Sequence, residues 1–94
     1  MTKQLIFEKA KEMLKARGAK KVAIFGSYAS GKQTNKSDLD LLVIFKETKS
    51  LLELATLERN LSESLGIKVD LLTENALSPH MADKVHEEMM VIYE

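Results

Sequence analysis

A chain of 94 residues with 45% apolar and 30% charged side chains has the balance of one folded globular domain, which we place at residues 1–94. It has no cysteine, so disulfides and thiolate metal sites are excluded. Charges recur along its N-terminal segment, so we expect no signal peptide, no membrane span and a cytoplasmic location. The net charge is zero, but residues 1–37 have a net charge of +7 and residues 38–94 one of −7. This distribution suits either an anionic ligand beside a cation site or ordinary solvated helix faces.

Apolar spacing along the chain predicts three helices and three strands. The predicted helices cover residues 3–17 and 51–65, which end at Gly18 and Gly66, and a last helix that begins at Ser78 and Pro79 and carries Met81, Val85 and Met89. The predicted strands are Val22–Phe25, Leu39–Phe45 and Ile67–Leu72, so the order is α-β-loop-β-α-β-α. The helix over residues 51–65 is a crossover long enough to make the second and third strands parallel neighbours.

The loop after the first strand contains a near match to a phosphate-binding P-loop. Gly26 to Lys32 fits G-x-x-x-x-G-K, but the next residue is Gln33, which has no hydroxyl to offer to Mg²⁺. The residues that follow are turn formers instead of the long helix that a P-loop requires. Three strands are also too few for the sheet of a P-loop domain, so we interpret the match as coincidental.

Aspartates at the start of the second and third strands are the strongest chemical signal. Asp38 and Asp40 are two residues apart, so they project from the same face with Cα atoms about 6.5–7 Å apart, close enough to share divalent cations. Asp70 interrupts an apolar strand, where a buried carboxylate needs a partner or a metal. The parallel crossover predicts that Asp70 lies beside the pair; the alternative is a strand-edge Asp70 that faces water.

Gly26 and Ser27 follow the first strand and could bind an anion. A glycine lets backbone approach a phosphate closely, and a serine hydroxyl can bond to its oxygens. The alternative is an ordinary Gly-Ser turn. Only in combination with the aspartates do these two residues indicate an anion-binding site.

The combination resembles a known family. F-G-S-Y-A-S-G, then S-D-L-D-L-L-V and V-D-L-L, look like the minimal nucleotidyltransferases of the DNA polymerase beta superfamily, and the ending from Met81 to Tyr93 is similar to the usual close of that family. The resemblance covers nearly the whole chain. It implies an α+β fold in which helices pack on a small mixed three-stranded sheet.

The resemblance also implies a chemistry and a role for each site residue. The donor would be ATP or another nucleoside triphosphate, and two Mg²⁺ ions would be bound by Asp38, Asp40 and Asp70. Two such ions roughly 3.5–4 Å apart stabilise both ends of an in-line displacement at phosphorus. Gly26 and Ser27 would hold the β- and γ-phosphates, and Asp70 could accept the proton of the attacking hydroxyl.

One departure from the family pattern concerns the phosphate loop. Many members have G-S-x-A-R-G, whereas this chain has Ser30 in place of the arginine. Lys32 is the nearest substitute, a point charge that lacks the bidentate fork of a guanidinium group, or else it is a solvated loop lysine. Weaker activity or altered nucleotide choice is expected.

Other conspicuous residues are predicted to be structural or exposed. Tyr28 is predicted as an exposed loop side chain, although it could stack on a base. His80 and His86 are six residues apart, which is not the spacing of a helical metal pair, so we expect them at the surface. The sequence has neither interleaved aromatic residues nor a basic recognition helix, so we expect no direct reading of nucleic acid. A homo-oligomer is possible.

Two functions of different classes follow from these observations. The first is a nucleotidyltransferase that moves AMP, or another NMP, to a protein hydroxyl, which the family resemblance links to a HEPN-type toxin partner and an antitoxin role. The second is a binding module that neutralises such a partner by occlusion. The three aspartates favour the first function, and the missing arginine favours the second.

Overall fold

The computed structural model describes residues 1–94 and contains four helices, one 3₁₀ turn and four strands. The helices are α1 (Lys3–Ala16), α2 (Ser27–Ser30), α3 (Leu51–Leu65) and α4 (Pro79–Glu88), and the turn is Glu74–Ala76. The strands are β1 (Ala19–Phe25), β2 (Leu39–Phe45), β3 (Val69–Thr73) and β4 (Met90–Tyr93). None of the helices combines the length and the apolar character needed to cross a membrane.

The strands form one mixed sheet in the order β3-β2-β1-β4. β1 is antiparallel to both of its neighbours, whereas β2 and β3 are parallel. The predicted crossover through α3 is therefore confirmed. A capping box of Ser50 and Glu53 begins this helix, and Gly66 ends it in the left-handed conformation at φ 69°.

The main core lies between the sheet and the two long helices. It joins one face of α1 and α3 to alternate residues of β1, β2 and β3, among them Leu14, Ile24, Leu41, Leu61 and Val69. The opposite face of the sheet has a smaller core. There Val85 of α4 packs against Ala23 and Leu42. Strand alternation places Asp40 and Asp70 on this second face, where carboxylates displace fewer apolar contacts.

The predicted three-stranded sheet is one strand short. Met90–Tyr93 forms β4 on the free edge of β1, and α4 ends at Glu88 instead of continuing through Met89. Helical spacing of Met81, Val85 and Met89 favoured a longer helix, but Met90, Val91 and Tyr93 pair with β1 once that edge is available. A long-range contact therefore decides the structure of the last residues.

The predicted loop after β1 contains a short helix, and the prediction of an exposed Tyr28 is wrong. Tyr28 lies in α2 and is only 6% exposed, with its ring edge-on to Phe7 of α1 at a centroid distance of 6.3 Å. Burial of this aromatic ring anchors α2 to the main core. The polar neighbours of Tyr28 in the sequence concealed this contact.

The outer edge of β3 is held by side chains of α3. β3 is an edge strand, so the N–H groups on its free side have no neighbouring strand. Ser62 accepts a hydrogen bond from the N–H of Val69 at 2.9 Å, and a Glu58 carboxylate oxygen accepts one from Leu71 at 2.8 Å. These two bonds flank Asp70 and fix the backbone that carries it.

The Glu58 bond predicts a measurable contribution to stability. Glu58→Ala leaves the N–H of buried Leu71 without a partner, and we expect it to lower the free energy of unfolding by about 1–2 kcal/mol. Glu58→Gln keeps an acceptor at the same place and should cost less than half as much. Glu63→Ala, on the exposed side of the same helix, is the control. Urea unfolding measures all three, and equal losses for Glu58→Ala and Glu63→Ala would contradict the assignment.

Candidate active site

The structure brings the three predicted aspartates to one end of the sheet. Asp40 lies directly opposite Asp70 in the parallel register of β2 and β3, and Asp38 is the residue just before β2. The side chains of Asp38 and Asp70 are 41% and 42% exposed. Asp70 is therefore on an edge strand and partly exposed, which agrees with the alternative that it faces water. It also lies beside Asp40, as the parallel crossover predicted.

A lysine that sequence reasoning missed lies between these carboxylates. The Lys68 ammonium is 3.7 Å from Asp38 Oδ2 and 3.9 Å from Asp70 Oδ1. Lys68 precedes Asp70 by two residues, which is the same spacing that placed Asp38 and Asp40 together. The K-V-D pattern therefore contained the signal for this contact.

Gly26 lies against the carboxylate of Asp40. A Cβ atom at this position would collide with Asp40 Oδ2, and the backbone at φ 73° and ψ −151° is a conformation that only glycine adopts readily. Glycine is therefore required here both by space and by backbone angle. Ser27 follows at the start of α2, where its carbonyl accepts hydrogen bonds from the Ser30 hydroxyl at 3.2 Å and the Lys32 N–H at 3.0 Å.

The predicted phosphate-binding residues reach the cluster unequally. Gly26 contacts it directly and Ser27 is adjacent in the chain, whereas the side chain of Lys32 is exposed and makes none of the ion pairs with the three aspartates. The lysine beside the carboxylates is Lys68 instead. The carboxylates lie on an open surface, since Asp38 and Asp70 are both partly exposed, and a cavity of about 420 Å³ lies at the other end of β2 and β3.

Asp40 has the perturbed carboxyl group of the cluster. Burial, followed by the charges of Asp70 and Asp38, raises the pKa of Asp40 to about 6, and the Lys68 ammonium opposes this change. A carboxylate in this position is destabilised first by burial and then by the neighbouring negative charges, which the lysine offsets only in part. Added positive charge is what the site lacks.

The donor set fits a hard divalent cation such as Mg²⁺. Three carboxylates supply oxygen ligands of the type that Mg²⁺ prefers, and they have more negative charge than the single lysine neutralises. As the side chains stand, no three acidic or histidine groups of the chain enclose a common metal position. Carboxylates that repel one another and turn toward an ammonium group account for this open arrangement.

Comparison with known proteins decides the family. The model of the polymerase beta nucleotidyltransferases matches residues 8–94. The chain belongs to this family. The resemblance to minimal nucleotidyltransferases is therefore confirmed, as is the mixed α+β fold apart from its additional strand.

Relatives in this family bear names that state an activity. The protein adenylyltransferase MntA of Thermococcus cleftensis is 37% identical over 82 residues, which cover 87% of this chain and 83% of that protein. A protein of Methanocaldococcus jannaschii is 41% identical over 91 residues, or 96% of this chain and 93% of that protein. Its name gives protein adenylyltransferase as an inferred activity.

Solved structures of other proteins have the same fold. One, described by inference as a minimal nucleotidyltransferase, has a TM-score of 0.80 at 38% identity and covers 96% of this chain and 95% of its own. A toxin-antitoxin crystal structure with AMP-PNP has a TM-score of 0.85 at 24% identity, covering 93% and 72%. A complex of an AMPylated Shewanella oneidensis HEPN toxin with its MNT antitoxin has a TM-score of 0.81 at 21% identity, covering 98% and 72%.

The raised pKa of Asp40 predicts how stability depends on pH in metal-free protein. Between about pH 4 and pH 6 the folded state binds more protons than the unfolded state, so the free energy of unfolding falls as pH rises through this window. Asp40→Asn removes the penalty and should stabilise the chelator-treated protein at pH 7.5 by about 1 kcal/mol, a value reduced because the carboxyl group is partly solvated.

The same comparison at pH 4 should show almost no difference between Asp40→Asn and the original chain. Asp83→Asn, an exposed change on α4, is the matched control and should leave the pH profile unaltered. Chemical unfolding in EDTA at several pH values gives both results. An Asp40→Asn protein that is no more stable at pH 7.5 would contradict the assignment.

Proposed function

We propose that residues 1–94 form one Mg²⁺-dependent nucleotidyltransferase domain that transfers AMP from ATP to a hydroxyl group of a partner protein. The proposed partner is a HEPN-type toxin, which the transfer would inactivate, so this chain would act as its antitoxin. Because ATP is an intracellular nucleotide, the reaction would take place in the cytoplasm. The observation that supports this proposal best is the pairing of Asp40 with Asp70 beside Asp38.

The three aspartates would be the metal ligands of this reaction. Two bound Mg²⁺ ions supply charge stabilisation at the attacking oxygen and at the departing pyrophosphate. The acceptor oxygen forms a bond to the α-phosphorus while the bond from the α-phosphorus to the bridging oxygen breaks, and pyrophosphate leaves. The proton of the acceptor hydroxyl passes to the carboxylate of Asp70, which is partly exposed and can receive it.

Gly26 and Ser27 would position the triphosphate. Because Gly26 has no side chain, its backbone lies directly against the carboxylate of Asp40, and Ser27 is the next residue, at the start of α2. Lys32 is proposed as a further phosphate contact, but it would have to move toward the site from an exposed position. The phosphate grip is therefore expected to be weaker than one that includes an arginine fork.

The identity of the acceptor rests on the relatives. MntA of Thermococcus cleftensis is named a protein adenylyltransferase, and the Shewanella oneidensis complex contains an AMPylated HEPN toxin with an MNT antitoxin. An open carboxylate surface, with the cavity of about 420 Å³ at the other end of β2 and β3, is consistent with an acceptor that arrives on a second protein. A protein hydroxyl is therefore the acceptor that we propose.

A second candidate function is neutralisation of the same partner by occlusion without catalysis. It is favoured by Ser30 in place of the arginine of the family pattern and by the exposed Lys32, which forms no ion pair with the three aspartates. Under this alternative the aspartates would be dispensable for protection.

Label transfer distinguishes the two functions. With α-³²P-ATP and the proposed HEPN-type partner protein, we expect Mg²⁺-dependent labelling of the partner. Asp38→Ala with Asp40→Ala should reduce the labelling by at least about a hundredfold, because the metal ligands are lost. Asp83→Asn is the control. Full protection against the toxin by the double variant, with no labelling by the original chain, would replace the catalytic proposal by the occlusion one.

A further inference from the structure

We propose that Lys68 is the internal counter-ion of the carboxylate cluster in the metal-free protein and that divalent cations must displace it to bind. This inference rests on the proposed function, because it assumes that Asp38, Asp40 and Asp70 bind the cations. It assigns to Lys68 a competing role that neither the motif nor the resemblance indicated.

The position of Lys68 is fixed by the backbone. Its carbonyl accepts a hydrogen bond of 2.9 Å from the N–H of Leu39, the residue after Asp38. Lys68 is also two residues before Asp70 along the same edge of the sheet. The ammonium group is thereby held within reach of two carboxylates that come from different strands, at 3.7 and 3.9 Å.

The oxygens that face the ammonium are the oxygens that a cation would need. Asp38 Oδ2 and Asp70 Oδ1 are the carboxylate oxygens that form ion pairs with Lys68 Nζ. A cation that binds both atoms must take the place of the ammonium, since like charges at this separation repel. Withdrawal is inexpensive, because the Lys68 side chain is 70% exposed and has a flexible four-carbon stem.

Lys68 also explains why the metal-free cluster does not form a coordination shell. Three carboxylates with no counter-ion would repel one another, and one ammonium offsets part of that repulsion by drawing Asp38 and Asp70 toward itself. As the side chains stand, the cluster does not enclose a common metal position. A divalent cation brings twice the charge of the lysine and can replace it.

Mn²⁺ binding to charge variants tests this inference without any measurement of activity. Lys68→Met removes the competing charge and keeps the length of the stem, so we expect its Kd for Mn²⁺ to be about three- to tenfold lower than that of the original chain at low salt. The difference should shrink at high salt, because the groups are partly exposed. Electron paramagnetic resonance of free Mn²⁺ in the absence of nucleotide gives the Kd values.

Two further variants separate competition from a general charge effect. Lys36→Met removes an exposed lysine two residues before Asp38 and should change the Kd less than about twofold. Lys68→Arg keeps the charge and should not bind Mn²⁺ more tightly than the original chain. In EDTA, Lys68→Met should melt at a lower temperature than Lys36→Met, since only Lys68 balances the carboxylates.

The outcomes distinguish this inference from the proposed function. If the original chain binds Mn²⁺ and Lys68→Met binds it no more tightly, the inference about Lys68 is overturned and the metal site stands. If the original chain binds no Mn²⁺, the metal-dependent function fails and the competition fails with it. Equal tightening by Lys68→Met and Lys36→Met also overturns the inference, because it would show a general effect of charge.

Discussion

The parallel register of β2 and β3 is the constraint on which the site depends. It sets Asp40 opposite Asp70 and leaves Asp38 at the strand entrance, so that residues thirty positions apart in the chain form one negatively charged group. The crossover helix α3 makes this register possible and also holds β3 from outside through Ser62 and Glu58. The rigid sheet thus positions groups that would separate if they were on flexible loops.

The cluster costs the metal-free protein stability, and this cost accounts for several features around it. The pKa of Asp40 is raised by burial and by the neighbouring charges, Gly26 leaves room for its carboxylate, and Lys68 offsets part of the repulsion. Destabilised charge held by a stable scaffold is the usual arrangement of a site that awaits ligands of opposite charge.

Much of this arrangement could be predicted from local patterns. Helical spacing with glycine stops located α1 and α3, and the length of the crossover predicted that Asp70 would lie beside the pair. What failed depended on distant contacts: β4 forms because β1 has a free edge, and Tyr28 is buried because α1 places Phe7 over it. Lys68 was overlooked because a lysine near an aspartate is too common to indicate an ion pair. Its spacing of two residues from Asp70 was nevertheless visible in the sequence.

The strand register of Asp40 and Asp70, with Asp38 one residue before it, is proposed to assemble a carboxylate site for two divalent cations. The most direct test is a crystal structure with a non-hydrolysable nucleoside triphosphate and Mn²⁺, in which anomalous scattering locates the Mn²⁺ ions. We expect two peaks roughly 3.5–4 Å apart among Asp38, Asp40 and Asp70, with the Lys68 ammonium moved away from them. A well-ordered nucleotide with no peak beside these aspartates, or with cations bound elsewhere on the chain, would contradict the account.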